Sequence, residues 1–343
     1  MRPSRPVTLA VAALTVAVFS LAACGSDDKP GDKKLTVYSG RSEDLVKPIL
    51  EEFQKASGIK VEVRYADSAA MAAQLLEEGG KTPADVFLSQ DAGALGAVAK
   101  KGLFATLPAE VLAKVPAGFH ARNGQWVGVT GRSRVLVYNA KQVPADQLPK
   151  SVFELTGPQW KGKVGIAPTN ASFQAFVTAL RIQHGEAKAK QFLTDLKANG
   201  AQIRPNNVVI VAEVNDGALA AGLVNHYYVF GKAKELGVGV DKLDAQLYFF
   251  PDGDTGALVN VSGVGVLTKA GTDPDARALV DFLLGTRAQT YFAQETYEYP
   301  IVDGVSTVAG LPALSTLEAP TIDLNDLDTL QETIQMIKDV GLA

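Results

Sequence analysis

Short apolar runs alternate with helical patterns from Leu35 onward, and this alternation restricts the fold more than any other feature of the sequence. Residues 35–38, 59–65 and 84–88 have the character of strands, and helical patterns lie between them. Strands that are joined by helices and short loops form a mainly parallel sheet covered on both faces. The sequence therefore predicts an α/β fold.

The same rhythm restarts in the second half of the chain, after a long strand pattern at 126–138. Further strand and helix patterns follow it at 163–167, 171–184, 186–199, 219–224, 258–267 and 274–284. Two successive α/β units predict a molecule of two lobes. Ligands of such sheets bind beyond the carboxyl ends of the strands, which here are followed by the loops after Tyr38, Leu88, Ala167 and Val224.

The first helix carries a proline, which predicts where the helix begins. The residue before a proline avoids the helical conformation, so we expect the helix to start at about Pro48 rather than at Ser42. Gly58 is expected to end it in the left-handed conformation.

The first 24 residues have the pattern of a secretory lipoprotein signal. Arg2 and Arg5 give a positive start, residues 7–23 carry no charge, and Leu-Ala-Ala precedes Cys24. So short a stretch after a basic start indicates export rather than a membrane-spanning helix. Cys24 is the only cysteine of the chain and is the expected lipidation site. We therefore expect anchoring to the outer face of the cell membrane, in the periplasm or at the cell surface.

The rest of the chain is large, acidic overall and free of cysteine. Residues 24–34 are polar and are predicted to be a flexible tether. Removal of residues 1–23 leaves 320 residues (343 − 23), enough for two domains without disulfides. It also leaves 31 Lys and Arg (33 − 2) against 37 Asp and Glu, a net charge of −6. This charge argues against a nucleic acid partner.

Two adjacent tyrosines, Tyr227 and Tyr228, follow the buried run at 219–224. On a continuing strand their rings would point to opposite faces, so they can converge on one ligand only in a turn or at a helix start. Residues 231–236 continue as a helical pattern, which favours the helix start. The alternative is that both rings pack at the edge of the core with their hydroxyls in water.

The sequence lacks the motifs of several common enzyme classes. It has no Gly-x-Ser-x-Gly before a helix, no His-Glu-x-x-His, no P-loop and no Gly-x-Gly-x-x-Gly after the first strand. Gly263 and Gly265 lie within an apolar strand pattern and indicate close backbone packing. We therefore expect a binding protein, not an enzyme.

Seven ordered sequence blocks resemble the ferric-ion-binding proteins of bacterial iron importers. They are LTVYSG at 35–40, GKTPADVF at 80–87, GRSRVLVYN at 131–139, WKGKVG at 160–165, NHYY at 225–228, GALV at 256–259 and YP at 299–300. The resemblance spans nearly all of the chain after the signal. It implies a type II periplasmic-binding-protein-like clamshell with mixed, mainly parallel sheets. It also implies a receptor, expected to be a monomer, that delivers ferric iron to an ABC permease and its ATPase.

In that family paired tyrosines bind Fe³⁺ through phenolate oxygens, which assigns Tyr227 and Tyr228 as metal ligands. An anionic oxygen suits a hard trivalent cation. A phenol has a pKa of about 10, so only a strong local cation would deprotonate it at neutral pH. Some members use a third tyrosine, and the resemblance gives this role to Tyr138. Alternatively, Tyr138 is a core residue of the strand that carries it.

Other members use a histidine after the first strand and a glutamate after the third. Ser42 and Gln90 stand at these positions here, and neither carries a charge. Asp91 offers a carboxylate, but it directly precedes a helical pattern, as an N-cap residue does, and we favour this role. The three histidines lack the spacing of a metal site, and His226 is expected to point away from the ligand.

The family completes the metal site with a small anion such as carbonate or bicarbonate. Family position places five polar residues near this anion or just outside the metal ligands: Gln90, Asn170, Ser172, Asn207 and Asn225. Arg41 is the expected positive partner, since its planar fork suits an oxyanion, unless it is an exposed loop arginine. Asn170 and Ser172 are also suited to capping the helix that follows them, whose N–H groups can bind an anion.

The predicted lobes comprise residues 35–131 with 259–305, and residues 132–258 with 306–343. Strands near 130–134 and 251–258 are expected to cross between the lobes and bend. Metal and anion would then bridge the lobes in the closed form, which gains contacts that the open form lacks.

The same architecture also serves receptors for other solutes, so a receptor for an iron chelate, an oxyanion, a polyamine or a sugar is the alternative. A sugar site would need aromatic platforms, whereas Trp126 and Trp160 lie in segments of structural character. A polyamine site would need clustered acids, which the candidate loops lack. An oxyanion site without a metal would leave the tyrosine pair without a role.

Overall fold

Ten strands form one extended mixed sheet in the computed structural model, which describes residues 33–343. They are β1 (Lys34–Ser39), β2 (Lys60–Tyr65), β3 (Val86–Ser89), β4 (Val127–Asn139), β5 (Val164–Ile166), β6 (Gln202–Ile203), β7 (Ala221–Asn225), β8 (Ala245–Tyr248), β9 (Val259–Val266) and β10 (Tyr299–Pro300). The predicted export signal and Cys24 lie outside the described residues.

Eleven α-helices accompany the strands in this part of the chain. They are α1 (Glu43–Ser57), α2 (Ser68–Glu78), α3 (Ala92–Lys100), α4 (Ala109–Leu112), α5 (Ala171–His184), α6 (Glu186–Ala198), α7 (Asn207–Asn215), α8 (Tyr227–Leu236), α9 (Pro274–Leu283), α10 (Thr286–Glu295) and α11 (Leu330–Val340). No helix within residues 33–343 has both the length and the apolar character that crossing a membrane requires.

The long strand β4 connects two parts of the sheet, because it changes partners along its length. The strand order is β2-β1-β3-β9-β4-β7-β5-β6, and β8 and β10 also pair with β4. The first part of β4, up to Ser133, pairs with β9. From Arg134 onward it pairs with β7, and its last residues also pair with β8. The predicted long strand at 126–138 is therefore the link between the two α/β units.

The sheet is mixed, with parallel flanks and an antiparallel centre. The parallel pairs are β1 with β2 and β3, and β5 with β6 and β7. All pairs made by β4 and β9 are antiparallel. The mixed α/β architecture agrees with the expectation, but antiparallel pairing is more extensive than a mainly parallel sheet would have.

Each part of the sheet is covered on both faces, because successive strand residues point to opposite sides. In the first part, Val37 packs in a core with α1 and α9, whereas its neighbour Tyr38 packs with α2 and α3. In the second part, Leu136 packs with α5, α6 and α11. Its neighbours Val135 and Val137 pack with α7 and α8.

The first helix begins earlier than predicted. α1 starts at Glu43, so Pro48 lies inside the helix, and the prediction of a start at Pro48 is wrong. A proline removes one intrahelical hydrogen bond. Two acidic residues in the first turn, Glu43 and Asp44, favour the helix start through the helix dipole. Gly58 ends α1 with a φ of 73°, as predicted.

The segment after β10 contacts both parts of the molecule. Met336 and Ile337 of α11 pack in the core of the second part. Leu324 and Leu327, however, pack with α3 in the first part. The assignment of the whole segment to the second lobe is therefore too simple. Close packing on α3 is possible because that helix presents glycine there: a Cβ on Gly96 would lie 3.0 Å from the Cβ of the facing aspartate.

Candidate functional site

A cleft of about 750 Å³ lies at the carboxyl ends of four strands. Its lining includes Arg41 after β1, Gln90 after β3, Asn170 after β5 and Tyr227 after β7. These are the four loops that the sequence predicted, so the rule for ligand sites in α/β sheets holds for this chain.

The tyrosine pair stands at the start of α8, as predicted, and both residues line the cleft. The ring centroids of Tyr227 and Tyr228 lie 4.3 Å apart with 34° between the ring planes. The Tyr227 ring is buried, with 3% exposure, and its hydroxyl has no hydrogen-bond partner among the described residues. The helix start thus brings two adjacent side chains to one side of the backbone.

The surroundings of Tyr228 keep its hydroxyl protonated in the free protein. Burial raises the pKa of Tyr228 well above 10, and the neighbouring Tyr227 raises it further. Asn207 and Arg132 act in the opposite direction but do not compensate. A phenolate at this position therefore requires an additional cation.

His226 points away from the cleft, as expected. Its Nδ1 accepts a hydrogen bond of 3.2 Å from the backbone N–H of Ser133, and its Nε2 lies 2.9 Å from the carbonyl oxygen of Tyr297. The first contact makes Nε2 the protonated nitrogen, which donates to the carbonyl. Burial lowers the pKa of His226 to about 4, so the ring is neutral.

Arg41 is buried in an ion pair rather than exposed on a loop. Its two terminal nitrogens donate to the two carboxylate oxygens of Glu298, at 2.7 and 2.6 Å. Burial opposes the charge of Arg41, but Glu298 outweighs this effect and raises the pKa of the guanidinium. The prediction of Arg41 as the positive partner of an anion does not fit this arrangement, because both ends of its fork are occupied.

Glu298 is at the centre of a buried polar network that the sequence did not reveal. Besides Arg41, it accepts hydrogen bonds from Arg132 at 3.0 Å, and from Thr130 and Thr296 at 2.9 Å each. Burial alone would raise the pKa of Glu298, but the two arginines and the hydroxyl donors lower it to about 2. The carboxylate therefore stays charged beneath the cleft.

The polar residues predicted near an anion form a connected group at the start of α5. Asn170 caps the helix: its Oδ1 accepts hydrogen bonds from the N–H and the Oγ of Ser172, at 3.0 and 2.6 Å. Asn207 donates to the same oxygen at 3.2 Å. The capping role and a place at the cleft are therefore compatible, since Asn170 also lines the cleft.

The loops after β1 and β3 contribute polar but uncharged groups to the cleft. Ser42 and Gln90 both line it. Asp91 is the N-cap of α3, as favoured, and its Oδ1 accepts from the N–H of Ala94 at 2.9 Å. Asn225 ends β7 and is buried, with its side-chain nitrogen lacking a hydrogen-bond partner among the described residues.

Tyr138 does not join the tyrosine pair, which corrects the prediction of a third phenolate. In the antiparallel pairing of β4 and β7, Tyr138 lies opposite Ala221, whereas Asn225 lies opposite Arg134. Four residues of strand separate these positions, about 13 Å at 3.3 Å per residue. The Tyr138 ring packs against the core with α5 and α6 instead. The resemblance assigned Tyr138 from its position in the sequence, which does not reveal the register between β4 and β7.

Sequence reasoning also missed Arg132 and Arg134 as residues of the site. Both are buried, with 2% exposure. Arg134 donates to the Oγ of Ser172 at 2.9 Å and to the carbonyl oxygen of Leu223 at 2.8 Å. A signal was available: two arginines two residues apart share one face of a strand whose other residues are buried, and buried charges require partners.

No group of three or more His, Cys, Asp or Glu side chains in residues 33–343 is arranged to hold a metal ion. A buried arginine lies close to the tyrosine pair: the Arg132 guanidinium is 5.7 Å from the centre of the Tyr227 ring.

Known proteins resemble this chain in sequence and in fold. Residues 81–329 match the family model described as bacterial extracellular solute-binding protein. The chain is 33% identical to the Fe(3+)-binding periplasmic protein of Serratia marcescens over 321 residues, 93% of this chain and 94% of that protein. Iron-bound HitA from Pseudomonas aeruginosa has a TM-score of 0.85 at 35% identity, covering 90% of this chain and 99% of that one. Trichodesmium IdiA (FutA), in complex with iron and citrate, has a TM-score of 0.75 at 26% identity, covering 90% and 100%.

These similarities extend over nearly the full length of each chain and include the α/β fold. The likeness to HitA confirms the periplasmic-binding-protein-like architecture, and the relatives are binding proteins rather than enzymes. The chain is accordingly a binding protein that belongs to the bacterial extracellular solute-binding family, within its group of ferric-ion-binding proteins.

Proposed function

We propose that this protein is an extracytoplasmic receptor that binds ferric iron through the phenolate oxygens of Tyr227 and Tyr228, together with an exogenous anion. One observation carries the proposal: the start of α8 brings two phenols, whose ring centres lie 4.3 Å apart, to the same cleft. Relatives named Fe(3+)-binding periplasmic protein and major ferric iron-binding protein support the choice of metal.

The charge balance of the site favours a strongly charged cation. Burial keeps Tyr228 protonated in the free protein, so metal binding must displace the proton of each phenol that becomes a ligand. A trivalent ion offers a large electrostatic gain when its ligands are anionic oxygens. Binding then releases protons, and acid weakens it.

An exogenous anion would complete the coordination, with the group at the start of α5 as its site on the protein. Asn170 lines the cleft beside the helix N-terminus, where N–H groups favour negative charge. Ser172, Asn207 and Gln90 are polar neighbours of this position. Carbonate or bicarbonate is the proposed anion. Arg41 is not assigned to it, since Glu298 holds that guanidinium.

Closure of two lobes around the metal is the proposed conformational step. The hinge would lie where β4 changes from β9 to β7, near Arg134. Gln90 comes from the first lobe, and the tyrosines come from the second, so a bound metal and anion would join them. The loaded receptor would deliver iron to an ABC permease and its ATPase, tethered to the membrane through a lipid on Cys24.

Equilibrium dialysis against ferric citrate tests the metal ligands. We expect one iron per protein in the wild type, and a loss of affinity of about a hundredfold or more, roughly 2.7 kcal/mol, in Tyr227→Phe and in Tyr228→Phe. Tyr138→Phe is the matched control and should bind as the wild type does. Unchanged iron binding in both cleft variants would refute the phenolate site.

A ferric chelate is the second candidate ligand, and the size of the cleft favours it. The two tyrosines supply two oxygens to the metal. The volume of the cleft, about 750 Å³, lies within the range of small-molecule sites. Dialysis with radiolabelled citrate separates the two proposals. Citrate retained in equal amount to iron indicates the chelate, whereas iron retained without citrate, in a bicarbonate-dependent manner, indicates the bare metal with its anion.

A further inference from the structure

A small cavity lies beside the cleft, between the start of α3 and the strands β4, β7 and β9. We call it the arginine cavity, and its polar lining consists of Gln90, Asp91, Arg132, Arg134, Ser172, Asn225 and Asn260. The space at its centre, about 10 Å³, suits an occupant of one heavy atom.

Five of these side chains have buried polar atoms without a hydrogen-bond partner among the described residues. The donors are Nε2 of Gln90, Nε and Nη1 of Arg132, Nε of Arg134 and Nδ2 of Asn225, and the one acceptor is Oδ2 of Asp91. Arg132, Arg134 and Asn225 are each 2% exposed. Buried donors without an acceptor are strongly unfavourable, so this lining requires a partner that accepts several hydrogen bonds at once.

The buried charges around the cavity leave a positive excess. Arg41, Arg132 and Arg134 carry three positive charges, and Glu298 and Asp91 carry at most two negative ones. Glu298 forms ion pairs with Arg41 and Arg132. Arg134 instead bonds only neutral oxygens, those of a serine and a backbone carbonyl. An isolated buried cation is costly unless an anion accompanies it.

We propose that the arginine cavity binds a small monovalent anion of the halide class, with chloride as the physiological occupant, held by Arg132, Arg134, Asn225 and Gln90. A spherical anion accepts from every donor that faces it. A single buried water makes about three hydrogen bonds, too few to match the five donor atoms and the Asp91 oxygen together. Carbonate and phosphate have several heavy atoms and exceed the space at the centre.

This site shares Gln90 with the cleft where the exogenous anion is proposed, but it lies among the buried arginines and does not depend on the proposed iron binding. The carboxylate oxygen of Asp91 also faces the cavity and repels an anion. The halide would neutralise Arg134 and connect residues 90 and 91 to β4 and β7. It therefore stabilises the fold at the point where the two parts of the sheet meet.

Crystals of the iron-free protein soaked in sodium bromide provide the direct test. We expect an anomalous bromine peak in contact with the Nε atom of Arg134. A cavity that holds only water under saturating bromide, or bromide peaks confined to the surface, would overturn the proposal. Neither result depends on iron, so the test is independent of the proposed function.

Two substitutions with opposite expected effects extend the test to solution. The probe is the rise in melting temperature as chloride replaces gluconate at constant ionic strength, which measures anion affinity. Asp91→Asn keeps the helix cap and removes the repulsion, so the half-saturating chloride concentration should fall about tenfold. Arg134→Gln should abolish the chloride effect. Equal chloride responses in the wild type and Asp91→Asn would contradict the proposal even if Arg134→Gln did not fold.

Discussion

Glu298 holds two guanidinium groups under the cleft, and the stability of this region depends on that single carboxylate. It is 1% exposed and pairs with Arg41 and Arg132. Removal of one partner from a buried ion pair is far more damaging than replacement of the whole pair, because a buried charge remains without compensation.

Glu298→Gln is therefore expected to destabilise the protein by about 3–5 kcal/mol. The amide keeps the shape of the side chain but leaves two buried cations without a counter-charge. Urea denaturation followed by circular dichroism measures the effect. Glu235→Gln is the control, since the Glu235 side chain is exposed in its pair with Lys232 and its loss should change little. Equal stabilities of the two variants would show that the buried network is not a stabilising element.

The same carboxylate predicts how stability changes with pH. The folded-state pKa of Glu298 is about 2, below its ordinary value of 4.5. A lowered pKa stabilises the folded state above pH 4.5, and this contribution, about 3 kcal/mol, is lost as the pH falls from 4.5 towards 2. We expect the wild type to lose stability over this interval more steeply than Glu298→Gln. Parallel pH profiles would contradict the assignment.

Residue-level prediction from the sequence succeeded where the signal was local. The helix start at Tyr227 and the N-cap at Asp91 follow from neighbouring residues, and both are confirmed. The partner of Arg41 lies 257 residues away, and no local pattern connects the two. Tyr138 failed for a related reason, since its position depends on the register between β4 and β7.

At the scale of elements, α3 and the segment after β10 fit together because of small residues. A Cβ on Gly96 would lie 3.0 and 3.2 Å from the Cβ and Cα of Asp328. Glycine disfavours a helix by about 1 kcal/mol relative to alanine, so its presence in α3 indicates that close packing outweighs helix propensity.

Gly96→Ala should accordingly lower the free energy of unfolding by about 1–3 kcal/mol, as overpacking does, although alanine is the better helix former. Gly231→Ala in α8 is the matched control. Within residues 33–343, no atom outside the helix's own neighbouring backbone lies within 4 Å of the Cβ that this change would add, so stability should rise by up to about 1 kcal/mol. Thermal unfolding of both variants gives the comparison. A stabilising Gly96→Ala would show that the tail does not pack tightly on α3.

Most elements were predictable because their periodicity is strong. The helix Ala171–His184 was placed at its observed bounds, and the strands at 126–138 and 258–267 were placed within one residue at each end. Pro48 misled the prediction for α1, because a proline near a helix start costs one hydrogen bond and the rest of the helix compensates.

At the scale of the whole molecule, the change of partners along β4 joins two α/β units that share one cleft. We expect the radius of gyration, about 20 Å for a folded chain of this size, to fall by a few per cent when iron is added, because the metal would draw the units together. Small-angle X-ray scattering measures this change. The double variant Tyr227→Phe, Tyr228→Phe is the control and should not respond. A loaded protein with an unchanged radius would rule out closure.

The visible absorption spectrum of the purified protein with ferric citrate tests the central proposal most directly. Phenolate bound to Fe³⁺ should give a coloured charge-transfer band that weakens in Tyr227→Phe and in Tyr228→Phe and persists in Tyr138→Phe. A wild-type protein that binds iron without colour, or a band that survives both cleft substitutions, would contradict iron binding by the tyrosine pair.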